Sequence, residues 1–281
     1  MKVISTEKSQ ILAARIATAL NTTLVDVKFS RFPDGELYLA AGKLDKETVI
    51  VGSITDSDAL VQLLLLIDAC EGSQNYLVLP YMGYARQDKK FKDGEPISAR
   101  AIAGIFGKGI KDCITVNIHE PSVLRYFNMP VTNISLAGDI GDCITSMGLS
   151  DPLILAPDDG ALAFAQSVAS TGGWDCDHLE KTRLSGVDVK MAPKKLCAAS
   201  RPVVIVDDII STGGTIATAA SMLYKQGATD VYAICVHGVL IGGAYTHLKV
   251  GGIRDICCSD TIERSCSRFS AAKSIAAALK G

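Results

Sequence analysis

The sequence predicts an α/β protein with mainly parallel sheets flanked by helices, and three observations predict it. Short β-rich runs alternate with amphipathic stretches along the whole chain. Inner runs such as Val203-Val204-Ile205-Val206 are unbroken apolar segments, the mark of a strand covered on both faces. The amphipathic stretches space their apolar residues at roughly 3.6, as in Ile11, Leu12, Ile16 and Leu20, or Ile216, Ala219, Ala220 and Leu223.

Taken in order, Lys2–Ser5 is expected as a strand and Ser9–Leu20 as a helix. Thr48–Ile54 reads as a strand, Ser57–Cys70 as a helix with Ala59, Leu63 and Ile67 inside, and Tyr76–Pro80 as the next strand. Helix Ser98–Phe106 and strand Cys113–Ile118 close this series. A second series follows: helix Gly138–Met147, strand Leu153–Ala156, helix Ala161–Ala169 and strand Trp174–Leu179. Strand Pro202–Val206, helix Thr215–Gln226, strands Asp230–Val236 and Ile253–Ser259, and a terminal helix Ser270–Leu279 complete it. Gly227 stands just past its helix, where a left-handed residue is expected. Val231–Leu248 carries no Asp, Glu, Lys or Arg, but His237, Gly238 and Gly242-Gly243 interrupt it, so it reads as strand then loop rather than as a membrane span. The alternation divides near 140–151. The expected domains are 1–145 and 146–268, with 269–281 as a closing helix packed on the first.

At 281 residues the chain can bury enough surface to fold without disulfide or metal staples. Its 48% hydrophobic and 21% charged composition excludes disordered and fibrous classes. A net charge of -2 lacks the basic excess of a duplex-binding protein, so no nucleic-acid partner is expected. The nine cysteines are an odd, scattered set without a C-x-x-C pair, which fits reduced thiols in a cytoplasmic protein. The opening residues are charged where a signal peptide would be apolar, and no membrane partner is expected.

The segment from Val203 to Thr215 is the most informative. An apolar strand delivers Asp207 and Asp208 at its carboxyl end, where open α/β sheets bind ligands. Ser211-Thr212-Gly213-Gly214-Thr215 then opens a helix. Glycines admit a close ligand, successive N–H groups point inward, and the helix start adds partial positive charge, which together cradle a phosphomonoester. The acid pair suits vicinal hydroxyls, directly or through a divalent cation. A tight turn with a hydroxyl cap is the plainer alternative for the Gly-Gly turn by itself. The segment resembles the 5-phosphoribosyl-diphosphate (PRPP) signature shared by type I phosphoribosyltransferases and ribose-phosphate pyrophosphokinases. That resemblance assigns Asp207 and Asp208 to ribose hydroxyls and Ser211, Thr212, Gly213, Gly214 and Thr215 to the 5-phosphate.

The first half separates the two families. Phe32-Pro33-Asp34-Gly35-Glu36, Tyr84-Ala85-Arg86-Gln87-Asp88 and Gly94-Glu95-Pro96-Ile97-Ser98-Ala99 each have a bland reading, as a β-turn or a solvated charged loop. In this order and spacing they resemble the ribose-phosphate pyrophosphokinases, and the likeness runs nearly end to end. It implies two phosphoribosyltransferase-like domains, ATP binding by Asp34, Gly35, Glu36, Arg86 and Gln87, and a homo-oligomer in which the hairpin reaches a neighbour's site. It also implies Mg²⁺ held with help from His119 and Asp158, and catalysis by Lys181 and Arg183, with Arg183 also facing ribose 5-phosphate. Asn117, Glu120, Ala161 and Ala163-Phe164 depart from the family's pattern around His119 and Asp158. The implied reaction moves the β,γ-diphosphoryl group of ATP to the 1-hydroxyl of ribose 5-phosphate. The alternatives are a transferase that consumes PRPP and a catalytically silent regulatory subunit.

Overall fold

The apolar runs become inner strands because their β-branched residues leave no face for water. The computed structural model describes residues 1–179, 181–183, 189–191 and 197–280. In chain order the elements are β1 (Lys2–Ser5), α1 (Gln10–Ala19), β2 (Val27–Arg31), β3 (Leu37–Ala41), β4 (Glu47–Val51), α2 (Ser57–Ala69), β5 (Gln74–Leu79), α3 (Ser98–Ala103), β6 (Ile110–Val116) and β7 (Val131–Ile134). They continue as α4 (Ala137–Ser146), β8 (Leu153–Ala156), α5 (Leu162–Gly172), β9 (Cys176–His178), β10 (Lys181–Arg183), β11 (Val189–Met191) and β12 (Pro202–Ile210). The last are α6 (Gly214–Lys225), β13 (Asp230–Gly238), α7 (Ala244–Val250), β14 (Ile253–Ser259), β15 (Ser267–Phe269) and α8 (Ala272–Lys280). The expected α/β class with parallel sheets and flanking helices is what the chain adopts.

The chain divides into two compact units, Met1–Ser135 with Asp260–Glu263 and Ser270–Gly281, and Leu136–Ser259 with Arg264–Phe269. The first unit therefore ends after Ser135, ahead of the boundary expected at 145/146, because α4 packs on α5 of the second unit. The first unit holds a parallel sheet ordered β1-β4-β5-β6-β7 and an antiparallel hairpin β2-β3. Ile50, Leu63, Leu77 and Leu79 are fully buried in its core, each contributing about 1.5–3 kcal/mol. Asp56 caps α2 by accepting the Ala59 N–H at 2.9 Å, a contact of about 1 kcal/mol. Helix α8 packs against α1, and the excursion Asp260–Glu263 is bonded into the same unit: Asp260 pairs with Arg15 at 2.6 Å, and Glu263 accepts the Leu12 N–H at 2.9 Å.

The second unit is a parallel sheet ordered β15-β14-β13-β12-β8-β9, with β10 and β11 forming a separate antiparallel pair. Its core joins Leu155, Ile205 and Ala233 of the sheet to Ala219, Ala220 and Leu223 of α6. Gly227 has φ +90°, the expected left-handed exit from α6. Two expectations need correction here. Strand β12 runs on to Ile210 instead of stopping at Val206, because Ile209 and Ile210 stay in register with His237 and Gly238 of β13. The stretch after β13 is not loop throughout: Ala244–Val250 is helical, with Leu248 fully buried.

Candidate active site

In each unit several of the singled-out residues follow the carboxyl ends of parallel strands, while Asp34–Glu36 and Lys181 with Arg183 lie on separate antiparallel pairs. In the first unit, Arg86 and Gln87 follow β5, and His119 follows the neighbouring strand β6. Arg86 and His119 are exposed, while Gln87 is held: Ser98 donates to its Oε1 at 2.6 Å and Ala99 N–H to its carbonyl at 3.2 Å. Two residues on this edge adopt left-handed backbone, Tyr84 at φ +68° and Asn117 at φ +37°, conformations that cost energy and gather at functional sites. Between β5 and Arg86, Gly83 passes so close to the chain that a Cβ would lie 2.2 Å from the Ile54 carbonyl oxygen. Gly83→Ala is accordingly expected to lower the unfolding free energy by about 1–3 kcal/mol, readable as a fall in thermal midpoint.

Asp34, Gly35 and Glu36 form the turn of the β2-β3 hairpin. Gly35 has φ +96°, and its N–H donates to the Phe32 carbonyl at 2.9 Å. Asp34 accepts the Glu36 N–H at 3.2 Å, and both carboxylates are exposed. Arg31 braces the turn, donating to the Gly35 carbonyl at 2.9 Å and to Asp58 on the first turn of α2 at 2.6 Å. The neighbouring Ser57 hydroxyl lies 2.8 Å from the Tyr84 hydroxyl. The start of α2 thus ties the hairpin and the Arg86 loop to one place. Ser57, Asp58 and Tyr84 have this positioning role, which no sequence spacing signals.

At β6, Asn133 Oδ1 accepts from both the Thr115 hydroxyl and the Ile118 N–H at 3.0 Å, fixing the backbone that carries His119. Glu120 accepts the Ser122 N–H at 3.1 Å and so caps the short helical turn Pro121–Tyr126.

In the second unit, β12 delivers Asp207 and Asp208, and its neighbour β8 leads to Asp158. The three acids therefore share one sheet edge. Burial, then the charge of Asp208, then that of Asp158, raise the Asp207 carboxyl well above the ordinary carboxylate range. Beyond them, Gly213 starts α6 with φ +75°, and a Cβ there would meet Leu248 of α7 at 2.8 Å. The loop after β13 fastens this turn: the Leu240 N–H donates to the Ile210 carbonyl at 3.0 Å and the Ile241 N–H to the Ser211 carbonyl at 3.2 Å. Ser211, Thr212, Gly214 and Thr215 keep some exposure at the start of α6, a helix long enough to present its free N–H groups to an anion. Leu240, Ile241 and Leu248 are supports that the sequence did not announce.

Asp158 accepts the Ala161 N–H at 3.3 Å, so Ala161 keeps the loop's cap although it departs from the family's pattern. Asp159 lies 2.9 Å from Nε2 of His178 on β9, joining the Asp158 loop to the strand that precedes Lys181. Lys181 and Arg183 stand on β10, paired with Met191 and Val189 of β11. Glu180 and residues 184–188 lie outside the described residues.

The chain is similar to known proteins along its whole length. Residues 1–108 match the N-terminal domain of ribose phosphate pyrophosphokinase, and residues 197–278 match the phosphoribosyl synthetase-associated domain. Over its full length the chain is 50% identical to the ribose-phosphate pyrophosphokinase of Methanosarcina mazei, covering 96% of that protein. It is 39% identical to that of Methanopyrus kandleri, covering 100% of this chain and 99% of that protein. Among solved structures, phosphoribosylpyrophosphate synthetase from Mycobacterium smegmatis superposes with a TM-score of 0.85 at 26% identity, over 99% of this chain and 97% of that one.

Proposed function

The chain belongs to the ribose-phosphate pyrophosphokinase family, and from that premise we propose how its two units divide one reaction. It is an enzyme of PRPP synthesis for nucleotide biosynthesis, moving the β,γ-diphosphoryl group of ATP to the 1-hydroxyl of ribose 5-phosphate and releasing AMP. The 146–268 half holds ribose 5-phosphate. Ser211, Thr212, Gly213, Gly214 and Thr215 take the 5-phosphate on the N–H groups that open α6, while Asp207 and Asp208 accept hydrogen bonds from the ring hydroxyls. The 1–145 half holds ATP through Asp34, Gly35, Glu36, Arg86 and Gln87; the guanidinium suits phosphate oxygens and the amide suits a nucleobase. The closing helix 269–281 supports that half through its packing on α1.

The observation that carries this reading is the acid pair followed by a buttressed, glycine-started helix on β12. It is the sugar-phosphate half of the reaction in one segment. Lys181 and Arg183 supply positive charge to the phosphoryl group in transfer, where catalysis is positioning and charge stabilisation, and Arg183 also faces the sugar phosphate.

Magnesium fits the donor set. Asp207, raised by burial and by the charges of Asp208 and Asp158, sits among hard oxygen donors whose crowding a divalent cation would relieve. His119 in the first unit and Asp158 in the second are each proposed as a magnesium ligand, and the chemistry of the metal would be neutralisation of polyphosphate charge. A homo-oligomer with a composite site is supported by the exposed Phe32 and Tyr38 on the hairpin and Val61 and Leu65 on α2. All nine cysteines are free thiols, and among the described residues no helix is long and apolar enough to cross a membrane. The free thiols support work in the reducing cytoplasm.

The test is AMP formation from ATP, ribose 5-phosphate and magnesium, with each omitted in turn. AMP and PRPP should appear only with all three. A transferase that consumes PRPP would release no AMP, and a silent subunit would bind ATP without turnover.

A further inference from the structure

Strand β14 ends in two adjacent cysteines whose side chains leave on opposite faces. Cys257 is hydrogen-bonded to Cys143 of α4. Cys258 meets Cys266, with its sulfur 3.5 Å from that of Cys266. We propose that Cys258 and Cys266 form a reversible thiol–disulfide site in the second unit.

The geometry is held by backbone rather than by side-chain chance. Cys258 donates its N–H to the Cys266 carbonyl at 3.1 Å, and Cys258 stands in register with Ser267 of β15. The connection between the two thiols is pinned at its return. Ser267 Oγ donates to the Ser259 carbonyl at 3.0 Å and accepts the Arg264 N–H at 3.1 Å, while Arg264 reaches the carbonyls of Gly238 and Val239 at 3.0 and 2.9 Å. Side-chain rotation closes the remaining gap to the ~2.05 Å of a disulfide.

Reactivity is divided between the partners. The hydrogen bond shared with Cys258 and the nearby Arg264 charge lower the Cys266 thiol, which makes it the readier thiolate of the pair. Cys258 is fully buried and Cys266 is 5% exposed. Access comes from the edge: β15 is a three-residue outer strand, the kind of element that opens locally without global unfolding. The oxidant is a peroxide. The Cys266 thiolate attacks one peroxide oxygen, forming S–O as O–O breaks, and the leaving hydroxide takes a proton to become water. The Cys258 sulfur then attacks the sulfenic sulfur, forming S–S as S–O breaks, and the hydroxyl departs with the Cys258 proton as a second water. The two thiols lose two electrons, which the peroxide gains, and a dithiol reverses the change.

Closing this bond staples the root of the excursion 259–265, of which Asp260–Glu263 belongs to the first unit. The reduced full-length protein is treated with hydrogen peroxide, unfolded in N-ethylmaleimide and digested with trypsin without reduction. Peptides 255–264 and 265–268 should emerge joined, with one maleimide on Cys257 and two hydrogen atoms fewer at the linked thiols, and separate with dithiothreitol. N-ethylmaleimide labelling of Cys266 should fall at least about 10-fold. Cys257→Ala should keep the link, and Cys258→Ser and Cys266→Ser should each abolish it. As a readout that needs no variant, amide exchange over 259–266 in the wild-type protein should slow on oxidation and recover on reduction. The proposal is overturned if Cys266 remains fully alkylatable, if it stops at sulfinic acid without a link, or if the bond joins Cys143 to Cys257 instead.

Discussion

Replacing Lys181 with alanine is expected to lower PRPP formation by about 10³-fold or more, roughly 4 kcal/mol of barrier, with much smaller changes in KM for either substrate. The reason is the nature of the transfer. The diphosphoryl group carries negative charge throughout the transfer, so much of the protein's share is positive charge placed where that negative charge moves. Lys181 stands on β10, directly after β9, which lies beside β8, the strand that leads to Asp158. Loss of charge there should strike kcat first, because a contact made mainly in the transition state leaves substrate binding almost intact. Arginine at 181 should restore only part of the rate, since a planar fork does not replace a compact ammonium. Single-turnover measurement of AMP release checks both variants, and near-normal turnover in Lys181→Ala would remove this residue from the mechanism.

Asp207→Asn is the second large effect, and it separates function from stability. The substitution keeps shape but removes the carboxylate proposed to accept the ribose hydroxyls, so kcat/KM for ribose 5-phosphate should fall about 10²-fold or more. Stability should move the other way. Burial and the charges of Asp208 and Asp158 hold this carboxyl above its unfolded value, so the native state binds its proton more tightly than the unfolded chain does. The carboxyl therefore costs stability at neutral pH, and the cost vanishes only as pH falls below the unfolded value near 3.9. The variant should show a thermal midpoint at or above that of the unaltered protein at pH ~7, with the advantage gone near pH ~3. A site strained for function and relieved by its own loss is the expected pattern. Scanning calorimetry at the two pH values, beside the rate assay, reads both halves.

How much of this was legible in the sequence depended on how local the cause was. Lys2–Ser5, Leu153–Ala156 and Ile253–Ser259 match their expected bounds because each is built on a short run of covered apolar residues, Val3-Ile4, Leu153–Ala156 and Ile256–Cys258. The Asp207–Thr215 segment was legible because strand, acids and glycine turn are consecutive. Helix α7 was not: Gly242-Gly243 precedes it, Gly251-Gly252 follows it, and its seven residues end on a largely exposed Val250. Only the burial of Leu248 against Gly213 justifies it, and that is a tertiary fact. Short strands β7 and β15 were missed because their partners, not their own composition, make them strands. The return of Asp260–Glu263 to the first unit rests on contacts with Arg15, Leu12 and Ser53, hundreds of positions away, which no local pattern encodes. Likewise the bracing of the hairpin and the Arg86 loop by Asp58 and Ser57 joins segments whose own motifs are silent about each other.

The division of labour between the units is tested most directly by amide hydrogen exchange of the full chain with each substrate alone. Ribose 5-phosphate should slow exchange at 207–215 and leave 31–36 and 81–87 unchanged, whereas ATP with magnesium should slow 31–36 and 81–87 first. Protection by ribose 5-phosphate confined to the first unit, with 211–215 exchanging as in the free protein, would contradict the assignment of the sugar phosphate to the glycine-started helix.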